Sequence, residues 1–123
     1  MKLSPITSDT LEITVDRNEE GALVRLRGRL GIDSSPDVRE RLLALLQGQT
    51  LKAVDVDLTE VSYIDASGIA TLLEAFKVAR NRQIRFCLKG LRNRVVRLFE
   101  VTGLLAVFEA NGCKPDSSEL KVN

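Results

Sequence analysis

Histidine and tryptophan are absent from this 123-residue chain, cysteine occurs twice, and aromatic residues make up only 4%. Without histidine there can be no Ser-His or Cys-His nucleophilic pair, and the usual nitrogen ligand of zinc is missing. The shortage of aromatics removes the stacking platform that single-stranded bases require. An excess of charge is lacking too: 18 Lys and Arg against 17 Asp and Glu leave a net charge of +1. That balance offers no electrostatic footprint to a phosphate backbone or an anionic lipid surface, so nucleic acid is not expected as a partner. No apolar run approaches the roughly 18 to 20 residues that span a bilayer, and Met1-Lys2-Leu3-Ser4-Pro5 lacks the apolar core of a signal peptide. Direct membrane insertion is therefore not expected, and a cytoplasmic location is. Cys87, in an apolar run, and Cys113, in a polar stretch, have no metal-ligand spacing and are expected to be reduced thiols.

What is present is enough for one core, with 44% hydrophobic residues in a length that suits a single domain. Residues 1–10 show no periodicity and are expected to form a loose arm, residues 11–110 the domain, and residues 111–123 a polar tail. Leu11, Ile13 and Val15 alternate with polar residues, Asn18-Glu19-Glu20-Gly21 is a turn signal, and Ala22 to Gly28 alternates again, which predicts a hairpin. Ser34-Ser35-Pro36-Asp37 starts a helix, with serine available as N-cap, proline at the first helical position and an acid in the positive first turn. Val38, Leu42, Leu45 and Leu46 give it one apolar face, and Gly48 ends it.

Lys52 to Leu58 alternates Val54, Val56 and Leu58 against Asp55 and Asp57, a strand with one face in the core. A polar turn is expected after it. From Ser67 the period becomes helical, with Ile69, Leu72, Leu73, Phe76 and Ala79 on one side, to about Asn81. Ile84 to Lys89 predicts another strand, and Asn93 to Thr102 another helix ended by Gly103. Leu104 to Phe108 is a last short apolar piece that would suit an edge strand. The alternation of strands and helices predicts an α/β fold with a mixed sheet of four to five strands and helices packed on it, its crossovers right-handed.

The corner Ile64-Asp65-Ala66-Ser67-Gly68-Ile69, where a strand hands the chain to a helix, is the most informative segment. Ser67 is placed as the N-cap of that helix, at its positive end. A serine cap contributes about 1 kcal/mol to stability and by itself implies no function. Ala70 stands where a capping box would need Glu or Gln.

The corner, taken with Asp57-Leu58-Thr59 before it, resembles the Asp-x-Ser-Gly signature of bacterial STAS domains, and of anti-sigma factor antagonists among them. Gly28-Arg29-Leu30, the strand before Lys89-Gly90-Leu91, and Val95, Arg97, Leu98, Phe99 and Glu100 followed by Leu104 and Phe108 extend the resemblance over roughly residues 11 to 109. It implies a STAS fold and a partner-switching role. The unmodified protein would bind an anti-sigma factor that is also a serine kinase, phosphorylation of the motif serine would break that complex, and a separate serine phosphatase would reset it. Carried onto this chain, the phospho-acceptor is Ser67, and the partner-binding residues are Asp65, Ala66, Ser67, Gly68 and Ile69 with Gly31, Asp33 and Ser34. Gly31 stands where the family often has an acidic residue, and Asp33, two positions later, is the candidate to compensate.

No cofactor, metal or catalytic residue is expected, and homodimerisation is left open. Asp55 and Asp57 share a strand face without a third oxygen partner, so a solvated face is preferred to a metal pair. Arg92, Arg94 and Arg97 suit a charged helix face better than a phosphate site. Tyr63 and Cys87 are assigned to packing. Within the resemblance, the competing roles are a STAS subunit of a lipid-trafficking ABC transporter and a subunit of a signalling scaffold, both without phosphorylation. An enzyme using Asp65 and Ser67 is the least favoured, because nothing nearby would activate the hydroxyl.

Overall fold

Alternating apolar residues place four strands side by side in the order β1-β2-β3-β4. The computed structural model describes residues 11–48 and 51–110; the expected arm, the expected tail and Cys113 lie outside them. The elements are β1 (Leu11–Arg17), β2 (Gly21–Leu30), α1 (Ser35–Gly48), β3 (Ala53–Ile64), α2 (Ala66–Asn81), β4 (Arg85–Lys89), α3 (Asn93–Val101) and α4 (Leu104–Ala110). β1 and β2 form the expected antiparallel hairpin, in which Asn18 Oδ1 accepts from the backbone N–H groups of Glu20 and Gly21. β3 pairs with β2 and with β4 in parallel, each pair connected through a helix.

Period-two alternation separates the two faces of this sheet. Leu11, Ile13, Val24, Leu26, Val54, Val56, Phe86 and Leu88 are buried with the Val38-Leu42-Leu45-Leu46 stripe of α1 and with Leu72, Ala75, Phe76 and Ala79 of α2. The other face is polar. Arg25 lies 3.3 Å from Asp16 and 3.8 Å from Asp57, Arg27 3.4 Å from Glu60, and Lys89 3.3 Å from Asp55. Such half-solvated pairs add little stability, but their polarity leaves that face wettable. Asp57 also accepts from the Thr59 N–H and hydroxyl, at 2.9 and 2.5 Å. The two aspartates thus belong to a charged sheet face, and among the described residues no cluster of potential metal ligands occurs.

Three expectations need correction. The polar turn foreseen after Leu58 is strand: β3 runs on to Ile64, accommodated by register shifts between Arg25 and Arg27 and between Gly28 and Arg29 of β2. Bulges let the pairing continue while the side-chain phase changes, so that Val61 and Ile64 still enter the core. Leu104 to Phe108 forms helix α4, so the sheet has four strands among the described residues. Phe108 anchors this helix: it packs with Phe76, Phe86 and Phe99 at ring-centroid distances of 4.7, 6.5 and 6.1 Å. Cys87 is disulfide-bonded, against the expectation of a reduced thiol.

Candidate functional site

The end of β3 and the start of α2 are joined by Asp65 alone, in an extended conformation. The first N–H groups of a helix have no partner within it, and a short acidic side chain just before them supplies one. Asp65 does so: its Oδ1 accepts from Ser67 N at 3.0 Å and from Gly68 N at 3.2 Å. The N-cap is therefore Asp65, and the assignment of that position to Ser67 is corrected. Ser67 sits one residue inside the helix, half-buried, and its hydroxyl donates to the same Asp65 oxygen at 2.6 Å.

Around this pair the structure builds a small polar cluster. Tyr63 donates its hydroxyl to Asp65 Oδ2 at 3.3 Å, and the Arg29 guanidinium lies over the Tyr63 ring, 4.1 Å from its centroid. The hydrogen bond from Ser67, followed by those of the Gly68 and Ser67 N–H groups and Tyr63, outweighs partial desolvation and lowers the Asp65 pKa below the usual aspartate value. Asp65 is thus held as a carboxylate at neutral pH, aligned on the Ser67 hydroxyl.

The loop between β2 and α1 closes the other side. Ser34 donates to the Arg29 carbonyl at 2.7 Å and accepts from Gly31 N at 3.1 Å. Ser35 donates to the Gly31 carbonyl at 2.7 Å and stands 3.4 Å from the Ser67 oxygen. The side chain of Ser34 is thereby spent on the loop, although its carbonyl accepts the first backbone bond of α1, from Val38 N. A shallow depression of about 120 Å³ lies between this loop and β3, lined by Arg29, Gly31, Ile32, Asp33, Ser34, Tyr63 and Asp65.

The eight residues assigned to partner binding thus fall into three groups. Ala66 and Asp33 are exposed, Asp65, Ser67 and Ile69 are half-buried, and Gly31, Ser34 and Gly68 are buried. Ser34, 1% exposed, uses its side chain to organise the loop. Gly68 is corrected from an accessible backbone to a packing position: a Cβ there would stand 2.5 Å from the Leu30 carbonyl and 2.9 Å from the Leu30 side chain. Ile69 packs partly against the core, leaving Ala70 as the exposed neighbour. At Gly31 a Cβ would lie 2.8 Å from Asp65 Oδ2 and 3.2 Å from the Tyr63 ring. A side chain at this position would have to displace the Asp65 carboxylate and the Tyr63 ring from each other.

Sequence reasoning missed Arg29, Ile32 and Tyr63. Tyr63 is 38% exposed and belongs to the site, which corrects its assignment to packing. Its signal was available: two residues before Asp65 in a strand, it shares that residue's side of the sheet.

The frame is a small mixed sheet with helices packed on it, carrying a serine held by the capping aspartate at the start of a helix, beside an exposed loop. The family is shown by sequence: residues 13–108 match the family described as "Mlab, STAS domain", and the chain belongs to the STAS domain family. It is 36% identical over 96 residues to the anti-sigma-B factor antagonist of Listeria monocytogenes, covering 76% of this chain and 82% of that one. Among solved structures it resembles an anti-sigma factor antagonist from Mycobacterium paratuberculosis, with a TM-score of 0.73, 20% identity, and 86% and 87% of the two chains covered. The unphosphorylated form of the anti-sigma factor antagonist SpoIIAA of Bacillus follows at a TM-score of 0.71 and 16% identity, covering 89% and 92%. At these identities the two structures speak for the fold.

Proposed function

We propose that this protein is an anti-sigma factor antagonist that binds an anti-sigma factor with serine kinase activity and is released when Ser67 is phosphorylated. The observation that carries the reading is the Asp65–Ser67 pair: a half-buried hydroxyl held 2.6 Å from an ionised carboxylate, beside the exposed residues Ala66 and Asp33. Relatives named as anti-sigma-B factor antagonists support it. Phosphorylation adds a charge of about −1.5 to −2. Asp65 already takes the N–H groups of Ser67 and Gly68, so the phosphate meets a carboxylate rather than free donors. Either the cap rearranges or two anions share the corner, and in both cases a partner surface shaped to the neutral serine is lost. A loss of about 3 kcal/mol weakens a complex roughly a hundredfold.

On this reading the protein catalyses nothing itself, and a serine phosphatase restores the acceptor. It acts in the bacterial cytoplasm, where sigma factors work; among the described residues no helix is long and apolar enough to cross a membrane. The test compares Ser67→Ala with Ser67→Asp in binding to the anti-sigma factor. Alanine should bind like the wild type and aspartate should lose binding. Equal binding by both would reject the switch, and copurification with a membrane ATPase would put the transporter-subunit role in its place.

A further inference from the structure

Ile32 is 74% exposed, in the loop that walls the depression beside Asp65. An isoleucine on a mobile loop would be unremarkable, but this one is held. Gly31 N bonds to Ser34 Oγ, and the N–H groups of Ser34 and Ser35 both bond to the Gly31 carbonyl at 3.1 and 2.8 Å. A two-sided hydrogen-bonded turn thus fixes an apolar side chain in water, with its conformational cost met before any contact is made. Next to it the depression is lined by the carboxylates of Asp33 and Asp65 and by the Tyr63 hydroxyl. Asp65 stays ionised at neutral pH, and Arg29 is drawn onto the Tyr63 ring.

We propose that Ile32 is the apolar anchor of the partner interface, inserting into a socket on the anti-sigma factor whose rim places a lysine or arginine in the depression against Asp33 and Asp65. The inference rests on the function proposed above and deepens it. Two features select this occupant. The anchor is continuous with the acceptor corner, because Gly31 and Asp65 line the same depression. The charge beside it is net anionic, with two carboxylates against the one guanidinium of Arg29, which lies over the Tyr63 ring; that balance favours a basic rim over an acidic one.

The test uses the anti-sigma factor recovered on Ser67→Ala protein from the source bacterium and then purified. Its affinity is measured by calorimetry for the wild type, Ile32→Ala, Ile32→Asp, Ile32→Leu and Val101→Ala. Val101 is a control of matching exposure, 77%, in α3. Ile32→Ala should weaken binding on the order of tenfold or more, chiefly through faster dissociation, and Ile32→Asp further still. Ile32→Leu should retain most of the affinity and Val101→Ala all of it. Melting temperatures should be unchanged in all five, since neither side chain is in the core. Wild-type affinity in Ile32→Ala, with Ser67→Asp still unable to bind, would overturn the anchor and leave the switch standing. Failure to recover any anti-sigma factor would overturn the proposed function and the anchor with it.

Discussion

Asp65 carries more of this site than the serine it serves. It caps α2, holds the Ser67 hydroxyl and receives Tyr63, so its substitution separates roles that sequence assigns to one motif. Asp65→Ala should destabilise the fold by about 1 kcal/mol through loss of the cap, whereas Asp65→Asn, itself a good cap, should cost less; urea denaturation at neutral pH measures both. The pH dependence has a definite sign. Because the folded pKa of Asp65 lies below its unfolded value, its contribution is complete above the ordinary aspartate range and disappears as pH falls through the folded value. The stability difference between the wild type and Asp65→Asn should accordingly shrink between pH 7 and pH 3; a constant difference would deny Asp65 its ionised role. Gly68 tests the same corner sterically. Gly68→Val should destabilise more than Asp65→Ala, since its Cβ meets the Leu30 carbonyl, which cannot move without disturbing the end of β2.

At the level of elements, α1 and α2 pack side by side and bring the Ser34 loop to Ser67. Their outward faces are tied by Arg39 and Glu74, whose two parallel hydrogen bonds are each 2.8 Å. The pairing raises the arginine pKa and lowers that of the glutamate, so its contribution, too, is lost on acidification. Both side chains are about half exposed, so solvent screens the pair and limits its worth despite its geometry. Arg39→Ala should therefore shift the urea midpoint only slightly. Leu42→Ala, on the buried face of α1, should cost about 2 to 5 kcal/mol. The contrast, measured in one denaturation series, would show that apolar packing rather than the ion pair sets the helix-to-helix geometry on which the site depends.

For the molecule as a whole, the core closes only when α4 returns Phe108 to Phe76 and Phe86. Phe108→Ala should cost about 3 to 5 kcal/mol, a large share of the 5 to 15 kcal/mol available to a typical domain, and should lower the melting temperature well beyond any change at the site. Most of this frame was legible from sequence because alternation and helical spacing are read locally: the hairpin, the α1 stripe, α2 and the Asp-x-Ser-Gly corner all came from neighbours in the chain. Leu104 to Phe108 was not, because five apolar residues fit either periodicity. The continuation of β3 was hidden as well, since β3 itself carries an extra residue between Asp57 and Glu60 and another between Val61 and Tyr63, and these break its alternation.

Local pattern settled which residues turn toward the core and where the chain passes from strand to helix, because backbone sterics and the burial of apolar side chains act over a few residues at a time. The choice of Asp65 over Ser67 as cap, the burial of Gly31, Ser34 and Gly68, and the meeting of Arg29, Tyr63 and Ile32 around the corner needed the folded molecule. Hydrogen-bond partners and excluded space depend on what a distant segment brings alongside, and here the β2–α1 loop, some thirty residues away in the chain, supplies half of the site.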